Sequence, residues 1–314
     1  MSELKLNVER FLNYCRFMKG LSDKTIKAYS IDLKQFLEFC NDMAWSEKET
    51  IEYYIKEMYL NYKPKTAKRK IACLKVFFRY LENNELFASN PFHKIQFKRR
   101  ETLVLPKVIP TSTLAKILEE VYRRYNEIGH TDCYYKFIIR DIAVMELLFA
   151  TGVRVSELCN LKIEDVELKN KCIKVFGKGA KERYIQLTNK DVIAALKAYK
   201  KTYLEEMNKT GFYFINNRGD KISEQSVRFM IDKYAKSIDT NLHITPHMFR
   251  HTIATLLLEE DVDIRYIQEF LGHSSITTTQ IYTHVSLNAQ KKMLQKKHPR
   301  NKLKINSVTH KSDS

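Results

Sequence analysis

Apolar positions recur at helical spacing through the first part of the chain. Over residues 7–20, Val8, Phe11, Leu12, Cys15 and Met18 fall on one stripe, and Gly20 follows as a stop. Ser22 is placed to cap a second helix over residues 23–40, whose stripe is Ile26, Tyr29, Leu33, Phe36 and Leu37. Residues 47–60 predict a third helix. A fourth starts at Thr66 with Ile71, Leu74, Phe77, Phe78 and Leu81 inside, and Asn90-Pro91 closes the segment. The pattern predicts an all-helical domain over residues 1–97. Residues 98–110 carry a Lys-Arg-Arg run and two prolines without helical period, and read as a linker.

The second half changes character. Leu114, Ile117, Leu118 and Val121 predict a helix from Thr111, residues 122–137 read as a loop or an extended helix end, and residues 138–152 form an apolar helix stopped at Gly152. Apolar and polar positions alternate over Lys171–Phe176 and Arg183–Leu187, which predicts a short β-hairpin around GKGAKE. Two or three helices follow. Thr245-Pro246 then reads as a cap followed by a proline at the first position of another helix. The fold class expected is mainly α with a small β-sheet, with a second domain over residues 111–300 and a disordered lysine-rich tail over 301–314. No apolar run approaches the roughly 18 residues of a membrane span. The N-terminus is charged where a signal peptide needs an apolar core, so a cytoplasmic protein is expected. The six cysteines form no CxxC pair, which favours reduced thiols and gives no support to a zinc ribbon.

Charge narrows the class of partner. The chain carries 54 Lys and Arg against 37 Asp and Glu, a net +17. Residues 1–100 hold 20 basic and 12 acidic side chains, residues 101–290 hold 26 and 24, and residues 291–314 hold 8 and 1. The excess sits at the two ends. A polyanion, most commonly nucleic acid, is the partner such a balance favours, against the alternative of solvated lysine faces.

The candidate chemistry is a series of basic groups at punctuated places. Arg154 follows the glycine that ends an apolar helix, with Glu157 one turn on. Lys178 sits between two glycines in the hairpin turn. His247 and Arg250 lie three residues apart near a helix start and are expected to share a face. His273 follows Leu271-Gly272, and Tyr282 lies nine residues later. Each alone has an ordinary structural explanation: an ion pair, a solvated lysine, a capping histidine, a packed aromatic.

In this order, the blocks FATGVRVSEL, GKGAKER, HMFRHTIAT, LGHSSITTTQIYTHV and KKHPR resemble the tyrosine recombinase, or phage integrase, family, and in particular its bacterial Xer branch. The resemblance spans residues 5–300 and implies a two-domain DNA clamp: a helical, SAM-like core-binding domain and a mixed α/β catalytic domain. It implies that Tyr282 attacks a DNA phosphate to give a 3′-phosphotyrosine and a free 5′-hydroxyl. Arg154, Arg250 and His273 would stabilise the transition-state charge, Lys178 would protonate the leaving oxygen, and His247 would assist proton transfer. Glu157 would orient the site. No metal and no cofactor is implied, because cationic side chains supply the charge that a two-metal nuclease takes from its ions.

The resemblance also sets Lys24, Thr25 and Lys27, and Lys65, Thr66, Lys68 and Arg69, against DNA. It implies a double-stranded site with a short inverted repeat and a tetramer of one protein or two paralogues, with an accessory activator where the system uses one. The C-terminal helix would link protomers, the alternative being a tail docked on its own chain. The chain starts directly with the core-binding helices, which favours simple sites, as in dimer resolution or a compact mobile element. Competing classes are a type IB topoisomerase-like enzyme, which acts alone, and a catalytically silent site-specific DNA-binding protein.

Overall fold

The computed structural model describes residues 3–41, 43–95, 107–129, 134–177, 182–238, 240–260, 262–272 and 287–303. The chain divides into two compact units, Met1–Leu103 and Val104–Ser314.

The first unit is helical: α1 (Glu3–Phe17), α2 (Asp23–Cys40), α3 (Lys48–Asn61) and α4 (Pro64–Asn83), closed by a 3-10 turn over Pro91–His93. Phe11, Phe36, Tyr54, Phe77 and Phe78 fill its core. Phe36 meets the edge of Tyr54 at a 5.0 Å centroid distance, a favourable ring geometry. Helix α4 starts at Pro64, two residues before the Thr66 start that the pattern predicts, because Pro64 fills the first helical position and Lys63 O takes the Thr66 N–H. A polar tie crosses this core. Asp32 of α2 and Lys70 of α4 are both buried and 2.9 Å apart, and Arg69 also reaches Asp32.

The second unit contains α5 (Thr111–Glu127), α6 (Tyr135–Thr151), α7 (Val155–Asn160), β1 (Val166–Glu167), β2 (Cys172–Phe176), β3 (Glu182–Gln186), α8 (Lys190–Thr202), α9 (Leu204–Thr210), α10 (Glu224–Ser237), α11 (Pro246–Glu259), α12 (Ile264–Leu271) and α13 (Leu287–Lys297). The three strands form one antiparallel sheet in sequence order, with Val175 opposite Arg183. Helix α6 is buried from Ile138 to Thr151, and α5, α8 and α11 pack around it. A helix buried on all sides, with its charged Arg140, Asp141 and Glu146 buried as well, is the central beam of its domain.

The structure refines three boundaries. Of the two readings of residues 122–137, the extended helix end holds for 122–127, which continue α5, while residues 135–137 begin α6. Tyr122 is buried there because its hydroxyl donates to Glu146 at 2.8 Å. The linker ends earlier than residue 110, since Ile109 is buried in the second unit and its N–H donates to Thr252 Oγ1 at 2.8 Å. The ordered chain extends past residue 300: a 3-10 turn spans Pro299–Lys302, and Asn301 accepts from Asn189 Nδ2 at 3.0 Å.

That terminal turn is anchored deep in the second unit. Arg300 is 1% exposed and donates to both carboxylate oxygens of the fully buried Glu146, at 2.8 and 2.7 Å. His298 is buried beside it. Its Nδ1 accepts from the Arg300 N–H at 3.0 Å, so its Nε2 donates to Ala150 O at 2.6 Å, which defines a neutral tautomer. Burial lowers the imidazole's pKa from 6.5 to about 4, with the Arg300 charge adding to the effect and the Ala150 bond opposing it. Leu294 of α13 is buried in the same core.

The unfolded chain takes up a proton at His298 near 6.5, whereas the folded chain resists until about 4. The unfolded state therefore gains protons first, and stability is lost as pH falls through that interval. Urea unfolding of wild type and His298→Gln between pH 7 and 4 is expected to show a steeper acid loss in wild type, approaching about 3 kcal/mol over the whole interval. Parallel curves contradict the assignment. Gly152→Ala is expected to destabilise by roughly 3 kcal/mol in the same assay. The residue has φ +59°, and an added Cβ sits 2.6 Å from Leu271 Cδ2.

Candidate active site

The site is built where α6 ends. Gly152 turns the chain in the left-handed region and caps α6, and its lack of a side chain lets Leu271 and Ile253 close over it. Two residues on, Arg154 occupies the N-cap of α7. Its backbone N–H donates to Glu157 Oε2 at 2.9 Å, and its Nη1 donates to Glu157 Oε1 at 2.6 Å. Glu157 thus fixes both the backbone and the guanidinium of Arg154.

The other anchor is the carboxyl end of α12. The last carbonyls of a helix have no partner within it and carry partial negative charge. Three arginines from three elements take three successive carbonyls here. Arg183 of β3 donates from Nε to Phe270 O at 3.2 Å, Arg250 of α11 donates from Nη2 to Leu271 O at 2.5 Å, and Arg154 donates from Nη2 to Gly272 O at 2.9 Å. Arg250 also donates from Nη1 to Gly152 O at 2.8 Å. Gly272 has φ +66°, and an added Cβ would sit 2.9 Å from Arg183 Nη1. A side chain there collides with the cluster.

Gathering these charges has measurable electrostatic consequences. Arg250 is 4% exposed. Burial, reinforced by Arg154 and Arg183, lowers its pKa to about 10, with Glu157 opposing. Burial alone pushes the Glu157 carboxyl up. The hydrogen bonds and charge of Arg183, then the hydrogen bonds of Arg154, outweigh it and hold the group below the usual carboxylate range. The site is therefore cationic, with one ionised carboxylate as its internal strut.

Arg154, Glu157 and Arg250 of the expected set come together at these two anchors. His247 lies in the first turn of α11, exposed while Arg250 is buried, so their spacing does not give them a common environment. Thr245 N-caps that helix without a side-chain bond. Lys178, His273 and Tyr282 lie outside the described residues. Lys178 comes two residues after the end of β2, past Gly177, and His273 follows Gly272, whose carbonyl holds Arg154. Arg183 is the residue that the sequence reading passed over. The signal for it is strand alternation: Arg183 shares the inward face of β3 with the fully buried Ile185, an unusual place for a guanidinium without a task.

The basic groups of the first unit divide. Lys65 and Lys68 are exposed on α4, Thr66 is half-buried, and Arg69 is committed in part to Asp32. Lys24 and Lys27 are exposed on α2, while Thr25 is engaged by Ser22, whose Oγ accepts the Thr25 N–H at 3.3 Å.

Comparison with known proteins places this geometry in context. The model of the phage integrase family matches residues 118–289, and that of the phage integrase N-terminal SAM-like domain matches residues 8–85. A tyrosine recombinase of Agathobacter rectalis is 48% identical over 305 residues, covering 96% of this chain and 98% of that one. The tyrosine recombinase XerC of Thermodesulfovibrio yellowstonii is 38% identical, covering 96% and 99%. A solved lambda integrase tetramer bound to a Holliday junction has the same fold, with a TM-score of 0.66 at 17% identity over 91% of this chain and 81% of that one.

Two substitutions separate the cost of the site from its support. Burial and like charges oppose the charged form of Arg250, so Arg250→Met is expected to leave the unfolding free energy within about 1 kcal/mol of wild type despite the lost hydrogen bonds. Glu157→Ala leaves Arg154, Arg183 and Arg250 without their counter-charge and is expected to destabilise by about 3 kcal/mol. Urea unfolding of the two variants checks this, and an equal loss in both contradicts it.

Proposed function

The chain belongs to the phage integrase family of tyrosine recombinases, enzymes of site-specific recombination, and on that premise we propose that it cuts and rejoins DNA through Tyr282. The phenolic oxygen attacks the scissile phosphorus, the bond from phosphorus to the 5′-oxygen breaks, and a 3′-phosphotyrosine forms. A free phenol ionises near pH 10, so the attack requires proton loss, which a dense cationic site favours. Lys178 delivers a proton to the departing 5′-oxygen, and His247 assists proton transfer from the nucleophile.

The observation that carries this reading is the arginine cluster. Arg154 and Arg250 are immobilised by backbone carbonyls and Glu157 before any substrate arrives. Preorganised donors of this kind stabilise charge as it develops on non-bridging phosphate oxygens, without reorganisation at the moment of reaction. His273, next in sequence after Gly272, adds a donor. The phosphotyrosine ester retains the energy of the broken bond, so resealing needs no ATP, and the charge supplied by side chains makes a metal ion unnecessary.

The substrate in this reading is duplex DNA carrying a short inverted repeat, in the cytoplasm, with a tetramer assembled on two sites. The tetrameric lambda integrase of the same fold supports that assembly. The XerC relatives favour dimer resolution, and integration or excision of a mobile element is the alternative outcome of the same chemistry. Lys65 and Lys68 in the first turns of α4 are the stronger backbone-phosphate candidates, since no acidic residue shares that helix start, whereas Asp23 does at α2 beside Lys24 and Lys27.

Incubation with fragmented DNA from its source, quenching in SDS and sequencing of the DNA joined to protein tests the whole reading. Adducts are expected at one short inverted-repeat site, absent with Tyr282→Phe and undiminished in EDTA. Scattered adducts point to a topoisomerase-like enzyme. Site-specific binding without any adduct points to a silent DNA-binding protein. Loss of adducts after metal removal overturns the metal-free step.

A further inference from the structure

We propose that Arg183 is a positioning residue of the strand-cleavage site: by gripping Glu157 and the Phe270 carbonyl together, it holds Arg154 in its working orientation. Arg183 uses its whole fork on two targets. Nη1 and Nη2 donate to the two Glu157 oxygens at 3.2 and 2.7 Å, and Nε donates to Phe270 O at 3.2 Å. Glu157 in turn holds Arg154 by its backbone N–H and by Nη1. The carboxylate therefore lies between two guanidiniums, one facing the reaction and one facing the protein. Arg183 is 12% exposed in its side chain, against 30% for Arg154. The more buried arginine is the strut and the more open one is the tool.

The consequence of losing the strut follows from the charges around Glu157. Among the described residues these are Arg154 on its own helix, Arg183 from β3 and, more remotely, Arg250 from α11. Burial pushes the carboxyl toward its neutral form, and Arg183 is the largest opposing influence. With Arg183 removed, the carboxyl's pKa rises. Its protonated form no longer offers full acceptors to both donors of Arg154. Arg154 is then released on the acid side of the new pKa and recaptured above it. A merely structural arginine would leave a loss of activity equal at every pH.

This inference rests on the reading of Arg154 and Tyr282 as parts of the cleavage site, and the test has one arm that does not. In the DNA-free arm, the Arg154 amide, which donates to Glu157, is followed by NMR in wild type, Arg183→Gln and Arg183→Lys from pH 5.5 to 8.5. The amide is expected to titrate in Arg183→Gln, to titrate at lower pH in Arg183→Lys, and to stay flat in wild type. A flat amide in both variants overturns the proposal.

In the second arm, single-turnover covalent cleavage is measured on a duplex bearing the site recovered by adduct trapping. Arg183→Gln is expected to lose on the order of 10- to 100-fold at low pH, as misplacement of a catalytic group does, with the loss shrinking as pH rises. Glu157→Gln combined with Arg183→Gln removes the pH dependence. If Arg183→Gln does not fold, Arg183→Lys is read alone. It keeps the charge but cannot serve the carboxylate and the carbonyl at once, and a wild-type rate at low pH overturns the proposal. A pH-independent loss also overturns it. Cleavage by Tyr282→Phe at the wild-type rate instead overturns the reading of the nucleophile and leaves the NMR arm to decide on Arg183.

Discussion

The carboxyl end of α12 is the constraint on which the rest of the site depends. Bringing three guanidiniums into one place is unfavourable by itself: two like charges about 6 Å apart at an effective dielectric of about 20 repel by roughly 3 kcal/mol. The fold offsets this with the partial negative charge of three successive carbonyls, at Phe270, Leu271 and Gly272, and with one ionised carboxylate, Glu157. The cluster is thus held by the protein's own dipoles, and in the proposed reaction an incoming phosphate would meet donors already in place. The lowered pKa of Arg250 reflects the burial and like charges that remain uncompensated, so holding this charge costs stability.

The carboxyl end of α6 makes the complementary connection. Four carbonyls at this end are engaged. Leu147 O accepts from Thr151 Oγ1, Leu148 O accepts from the Gly152 N–H, Ala150 O accepts from His298, and Gly152 O accepts from Arg250. One helix end therefore joins the arginine cluster to the chain's C-terminal turn. Arg300 adds a second tie to α6 through Glu146. The sequence that carries His273 and Tyr282 runs between two fixed points, Gly272 on one side and the anchored α13 on the other. Leu294 of α13 is buried in the core of the second unit.

Much of this was legible in the pattern of apolar residues, and the reasons for the rest are physical. Helix α2 follows its stripe closely because periodicity reports burial, and burial is what its packing requires. The short α7 and β1 carry too few residues for any period to emerge. Ile109, at the end of the expected linker, is tied down by one hydrogen bond to Thr252, and nothing local in sequence announces a partner 143 positions away. The same holds for Glu146 and Arg300, 154 positions apart. Arg154 and Arg250 were visible by motif, but what positions them was not. Backbone carbonyls are present at every residue, so the three that accept at α12 have no sequence signature. Arg183 was hidden for a related reason: an arginine in a basic hairpin reads as one more solvated charge until its strand face is known.

The net charge of +17 therefore overstates the charge available to a polyanion. In the first unit, Lys70 of the run KTAKRK is buried against Asp32, and Arg69, exposed itself, leans on the same carboxylate, whereas Lys65 and Lys68 are exposed. In the second unit, Arg140 is turned onto Asp141 and Asn217, Arg300 onto Glu146, and Arg183 onto Glu157. Each of these guanidiniums has a hydrogen-bonded geometry that a bound phosphate would have to disrupt. Arg154 belongs to both groups, since its Nη1 and Nη2 hold the fold while 30% of its side chain remains open. A basic chain that builds its interior with some of its cations separates structural charge from contact charge by burial. On that criterion, Arg154 is the most open arginine of this cluster, and in the proposed reaction it would meet the DNA phosphate beside the more buried Arg250.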